Sequence, residues 1–181
     1  MTKKIIITVL SILLFAGVVV GGYFGYKKLS EKNPPDAGTL GTDQKGDYKD
    51  FTVTDVNGKE VKLSDFIGKP IVINFWASWC GPCRSELPAF DKVAKENKGQ
   101  VHFLMVNLLS GETETKVKKF VQKENYSFPL YFDNTGTAAS TYNVSSIPVT
   151  VFIDAQGKVR KSQIGAMSEI VLKSYVAELL K

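Results

Sequence analysis

The tightest constraint on this chain is five residues long. Trp79-Cys80-Gly81-Pro82-Cys83 lies between an apolar run, IVINFW, and a helical pattern. The run follows Pro70 and fits a strand buried on both faces. From Pro82 to about residue 97, Leu87, Phe90, Val93 and Ala94 recur at helical spacing, and Gly99 stands just beyond as a stop. A CxxC that closes a strand and opens a helix puts Cys80 at the helix N-terminus. Free amides and the helix dipole favour an anion there, and the thiolate is the attacking form in disulfide exchange. Two intervening residues bring Cys83 within bridging distance in the first turn, where the missing N–H of Pro82 costs little. Cys80 then reads as the attacking cysteine and Cys83 as the one that resolves the mixed disulfide.

Cys80 and Cys83 are the two cysteines of the chain, and His102 is its one histidine. Zinc normally takes four ligands, so half a zinc site is a poor fit. A buried structural disulfide is the other alternative; the strand–CxxC–helix context favours redox catalysis over it. With no further cysteine to cross-link, the fold must stand on its core. The chemistry calls for no cofactor beyond the Cys80–Cys83 pair and for no metal.

The remaining pattern is mixed α/β. Residues 51–54 and 61–63 predict a hairpin around Asn57-Gly58. Residues 101–108 predict a second apolar strand. Residues 113–123 are helical, with Val117, Phe120 and Val121 on one face. Residues 128–132 are extended, and 137–143 form a weak helix. A second hairpin, 149–154 with 158–164, turns at Gln156-Gly157. Ser168 caps a last helix whose apolar face comprises Ile170, Val171, Leu172, Tyr175, Val176 and Leu179. Strands alternating with helices, then a hairpin and helix, imply a mixed sheet flanked by helices. His102 opens a strand and reads as an ordinary edge residue. Arg84 and Lys69 read as surface charges.

The first thirty residues have another character. Residues 5–26, IIITVLSILLFAGVVVGGYFGY, carry no charge. As a helix they would run about 33 Å, enough for a hydrocarbon core of about 30 Å. Tyr23 and Tyr26 close the run as interfacial aromatics do. The run exceeds the h-region of a cleaved signal peptide, and no A-x-A site follows it, which favours an uncleaved signal-anchor over residues 1–29. Lys3 and Lys4 face Lys27, Lys28 and Lys32, so flanking charge does not decide the orientation; the very short basic N-terminus favours a domain on the outside. Residues 30–49 hold Pro34, Pro35, Gly38, Gly41 and Gly46 among polar residues and read as a flexible linker. Residues 50–181 form the catalytic domain. The formal charge of +5 is concentrated at the anchor: without Lys3, Lys4, Lys27 and Lys28, 19 basic side chains face 18 acidic ones. A nucleic-acid binder would keep its positive charge on the folded domain.

The run INFWASWCGPCRSELPAF resembles the membrane-anchored, extracytoplasmic TlpA/ResA-like thioredoxins. Glu86 and Pro88 match that family's CxxCxxExP pattern, and Asn74 stands where thioredoxin itself usually has Asp. YNVSSIPVTVFIDAQGKV resembles the family's cis-proline loop and hairpin, with Pro148 as the proline. Residues 110–132 resemble its inserted helix and strand. The likeness covers residues 50–181 and implies a thioredoxin fold. The Gly81-Pro82 dipeptide departs from the group and is more typical of cytosolic thioredoxins. The resemblance implies that Ile147 and Pro148 present backbone to an extended substrate strand beside Cys80. It implies that Glu86 accepts the Cys83 proton through water, and that Trp79 shapes the docking surface. It further implies protein disulfide substrates, among them apocytochrome c in cytochrome c maturation, and a membrane electron donor of CcdA/DsbD type.

Three other functions bear weighing. A disulfide-forming oxidase would use the same dithiol, but the Gly81-Pro82 pair and Ile147 look thioredoxin-like and favour reduction. A peroxiredoxin's PxxxTxxC pattern would need Pro at 73 and Thr at 77, where Ile73 and Ala77 stand. A copper module of related fold uses a wider cysteine pair and a late histidine, and none follows His102.

Overall fold

The computed structural model describes residues 46–181. The expected anchor, 1–29, and most of the expected linker lie outside the described residues. Among those described, no helix is long and apolar enough to cross a membrane. The sheet begins inside the stretch read as linker, with β1 (Gly46–Asp47) paired antiparallel to Lys158 and Val159. The elements follow as β2 (Thr52–Asp55), β3 (Glu60–Lys62), a 3-10 turn (Leu63–Phe66), β4 (Ile71–Trp76), α1 (Gly81–Glu96) and β5 (His102–Asn107). After them come α2 (Glu114–Lys123), β6 (Leu130–Phe132), α3 (Thr137–Thr141), β7 (Val149–Ile153), β8 (Lys158–Ile164) and α4 (Glu169–Leu179).

The eight strands form one mixed sheet in the order β1-β8-β7-β4-β5-β6-β2-β3. β5 runs parallel to β4 and β6, and β7 runs antiparallel to β4. Period-two alternation divides β4 between two cores. Ile71, Ile73 and Phe75 join Phe51, Leu104, Val106, Val151 and Tyr142 on one face. Val72 and Trp76 join Leu87, Phe90, Phe103, Phe152 and Leu172 on the other. All six β4 residues are buried, as a central strand covered on both faces requires.

Both expected turns form where glycine is needed. Gly58 has φ 79° and Gly157 φ 80°, and a Cβ on Gly157 would meet the Tyr48 ring at 2.8 Å. Ser168 caps α4 through its hydroxyl, as expected. The expected apolar face of α4 is narrower than the sequence suggests. Leu172 and Val176 are buried and Tyr175 and Leu179 pack at the margin, but Ile170 is 81% exposed and Val171 is also exposed. Ile170 and Val171 lie in the first turn, exposed to solvent. His102 opens β5 at a local edge, as expected: it pairs with Ile71 of β4, while β6 pairs with β5 only from Met105 onward. The imidazole is half-buried with the Phe66 ring edge-on at 5.3 Å. Burial, then the Lys69 charge, lowers its pKa.

Candidate active site

The site forms where β4 ends and α1 begins. Cys80 is the N-cap of α1, and its sulfur accepts from the Cys83 amide at 3.2 Å. Pro82 lies in the first turn, where no helical N–H is missed. The two cysteines are joined as a disulfide, with Cα atoms 5.3 Å apart. Both are nearly or fully shielded from solvent. The Cys80 sulfur lies 3.8 Å from the Ile147 carbonyl, and the Ile147–Pro148 peptide is cis. The loop before β7 therefore faces the helix end across the dithiol, although the two segments are 67 residues apart.

Glu86 lies three residues past Cys83, hence on the same helix face. It is 1% exposed. Asn74 of β4 donates to its Oε1 at 2.8 Å, and the Met167 amide donates to its Oε2 at 3.0 Å. Asn74 also donates to Thr150 Oγ1 at 2.9 Å. Among the described residues no ion pair reaches the carboxyl, and burial dominates. Its pKa rises from 4.5 to about 7, against the smaller opposing pull of the Met167 and Asn74 hydrogen bonds. A carboxyl poised near neutrality one helical turn beyond Cys83 can exchange a proton at working pH. Asn74 Oδ1 is buried without a partner.

Trp79 is 54% exposed, so its ring is surface rather than core packing. Its indole Nε1 donates to the Ser110 carbonyl at 2.6 Å. Arg84 and Lys69 are exposed as expected, but each has a partner. The Arg84 guanidinium lies 5.4 Å from the Phe120 centroid, and Lys69 Nζ donates to the Gly99 carbonyl at 2.7 Å. Met167, Thr150 and Glu112 escaped the sequence reading. Met167 and Thr150 contribute through an amide and a hydroxyl that carry no motif. Glu112 had only its place just before the Thr113 cap to mark it. Among the described residues no group of three or more His, Cys, Asp or Glu side chains gathers to hold a metal.

Comparison with known proteins agrees with this geometry. Residues 45–162 match the profile of the AhpC/TSA family. The chain is 33% identical over 173 residues to thioredoxin-like protein YneN of Bacillus subtilis, covering 93% of this chain and 94% of that one. It is 35% identical over 141 residues to thiol-disulfide oxidoreductase ResA of the same organism, covering 77% and 78%. Among solved structures, the exposed lipoprotein thioredoxin Etrx1 of Streptococcus pneumoniae superposes with a TM-score of 0.62 at 35% identity, over 71% of this chain and 99% of that one. With its dithiol at a helix N-terminus, a facing cis-proline loop and this sequence kinship, the chain belongs to the AhpC/TSA family as a ResA-like thiol-disulfide oxidoreductase of thioredoxin-like fold.

Proposed function

We propose that this oxidoreductase is held in the cell membrane by residues 5–26 and reduces disulfides of exported proteins with its domain outside. The observation that carries the chemistry is the Cys80 sulfur, set at the start of α1 and against the Ile147 carbonyl. In the reduced form, the Cys80 thiolate attacks one sulfur of a substrate disulfide. The substrate S–S bond breaks, a Cys80–substrate disulfide forms, and one substrate thiolate leaves. Cys83 gives its proton to Glu86 through water and attacks the Cys80 sulfur. The mixed disulfide breaks, Cys80–Cys83 forms, and the second substrate thiolate leaves. The substrate gains two electrons and the enzyme loses two. The Cys83 proton, passed on from Glu86, and one proton from solvent, equivalent to the one Cys80 released on ionising, end on the two substrate thiolates.

Ile147 and Pro148 offer backbone to the substrate strand, and the exposed Trp79 ring supplies apolar docking area beside the dithiol. The reducing direction is supported by the Gly81-Pro82 dipeptide and Ile147, and the outside location by the uncharged run and by an exposed lipoprotein among the relatives. A membrane donor of CcdA/DsbD type would return the electrons. Formation rather than reduction of disulfides is the second reading, since the same dithiol supports both. Two assays test the proposal. The reduced chain should precipitate insulin by reducing its disulfides, and failure to do so while oxidising a dithiol peptide would reverse the direction. Protease added to intact cells should cut within residues 30–45 and release the domain; protection until lysis would refute the outside location.

A further inference from the structure

The segment just before the dithiol is held from one side by a single carboxylate. Glu112 Oε1 accepts from the Ser78 amide at 2.9 Å and from Asn107 Nδ2 at 2.9 Å. The Ser78 hydroxyl donates to Glu112 Oε2. Ser78 and Asn107 are buried, and Glu112 is half-buried. Two more bonds join the same two segments. The Leu108 amide donates to the Trp76 carbonyl at 3.1 Å, and the Trp79 indole donates to the Ser110 carbonyl at 2.6 Å. Residues 108–112 thus brace residues 76–79 at three successive points. Their own backbone is bent to do so, with Leu109 at φ 52° and Gly111 at φ 69°. Leu109 is held there by its amide, which donates to Asn107 Oδ1 at 2.8 Å.

We infer that Glu112 is a positioning residue for protein substrates: by clamping Ser78, it fixes the exposed Trp79 ring and the approach to Cys80. A charged acceptor makes stronger hydrogen bonds than a neutral one, and three donors converge on this one. Trp79 otherwise has little to hold it, being more than half exposed with one hydrogen bond to a surface carbonyl. Without Glu112, the Ser78 amide and hydroxyl and the Asn107 amide lose their acceptor, and the loop bearing Trp79 gains freedom. The dithiol keeps its own supports, the Arg84 amide bonded to the Cys80 carbonyl at 3.0 Å and the helix behind it. A large substrate that must rest on the Trp79 ring should feel the loss. A small disulfide that needs only the sulfur should not.

This inference rests on the reductase reading in one respect, that the substrate is a protein disulfide. The test compares the purified full-length chain with Glu112→Ala and Glu112→Gln, each in the reduced form. The second-order rate constant for oxidation by insulin should fall about tenfold in Glu112→Ala, the worth of one charge-assisted hydrogen bond. The rate with the small disulfide DTNB should change less than about twofold. Glu112→Gln should recover most, not all, of the insulin rate, because its Oε1 can accept from Ser78 and Asn107 while its Nε2 donates to the Ser78 hydroxyl, and only the charge is lost. Hydrogen exchange at the Trp79 indole, read by NMR, should quicken about tenfold in Glu112→Ala and stay slow in Glu112→Gln. Equal losses with insulin and DTNB, or an unchanged indole exchange rate, would overturn the inference. If Glu112→Ala loses its circular dichroism, Ser78→Ala carries the same test, with a fall of about threefold expected for one lost hydroxyl donor. A wild-type chain that leaves insulin untouched would refute the reductase reading, and the indole exchange would still decide the role of Glu112.

Discussion

Replacing Glu86 by Gln should stabilise the oxidised protein, and the gain should grow with pH. The carboxyl is 1% exposed, and among the described residues no cation is bonded to it. Its pKa is raised from 4.5 to about 7, chiefly by burial. Below pH 4.5 the group is protonated in both states. Between 4.5 and 7 the folded state keeps a proton that the unfolded state has released, so stability falls as pH rises. Above about 7 the loss is complete, and the full shift corresponds to about 3 kcal/mol. Gln carries no charge at any pH and avoids that loss. It also fits the hydrogen bonds: its Oε1 can accept from Met167, and a turned Asn74 amide can use its partnerless Oδ1 to accept from Gln Nε2 and from the Thr150 hydroxyl. Urea unfolding of the oxidised chain from pH 4 to 8.5 is the assay. Glu86→Gln should match the wild type near pH 4 and exceed it by about 3 kcal/mol at pH 8. A pH-independent difference, or a wild type more stable than Glu86→Gln at pH 8, would refute the assignment of a buried carboxyl titrating near neutrality.

Cys83→Ser should accumulate mixed disulfides with substrate proteins on non-reducing gels, because no thiolate resolves them, while Cys80→Ser should trap none; the opposite pattern would exchange the two roles. Asp91→Ala should cost about 2–3 kcal/mol in urea unfolding. Asp91 is buried, and its Oδ1 accepts from the Ser127 amide at 2.6 Å and the Phe128 amide at 3.1 Å, so it ties α1 to the strand entry before β6. A loss below about 0.5 kcal/mol would show that those amides find water instead.

Local signals in the sequence carried most of the fold. The run at 71–76, the CxxC that follows it, the Asn57-Gly58 and Gln156-Gly157 turns and the Ser168 cap are each written within a few residues, and each element stands where its pattern puts it. What was not legible depends on distant partners. Gly46 and Asp47 look like linker because their strand exists only through β8, more than 100 positions away. Ile170 and Val171 look like core because helical spacing cannot tell how wide a stripe of α4 the rest of the fold covers. Glu86 could be singled out by its place after the dithiol. Its burial comes from β4 and from the Met167 amide, 81 residues downstream. The tie from Glu112 to Ser78 joins the end of one strand to the loop after its neighbour, and no pattern along the chain announces it.

The reduction potential of the Cys80–Cys83 couple tests the central claim most directly. Equilibration of the full-length chain with glutathione, read by thiol alkylation, measures it. A reductase needs a stable disulfide form, so the potential should lie near that of thioredoxin, about −270 mV. An oxidase would lie near the DsbA value of about −120 mV, a gap of about 7 kcal/mol for two electrons. For this dithiol a value of about −270 mV is expected. A value above about −180 mV, that of protein disulfide isomerase, would contradict it and make disulfide formation the function of this dithiol.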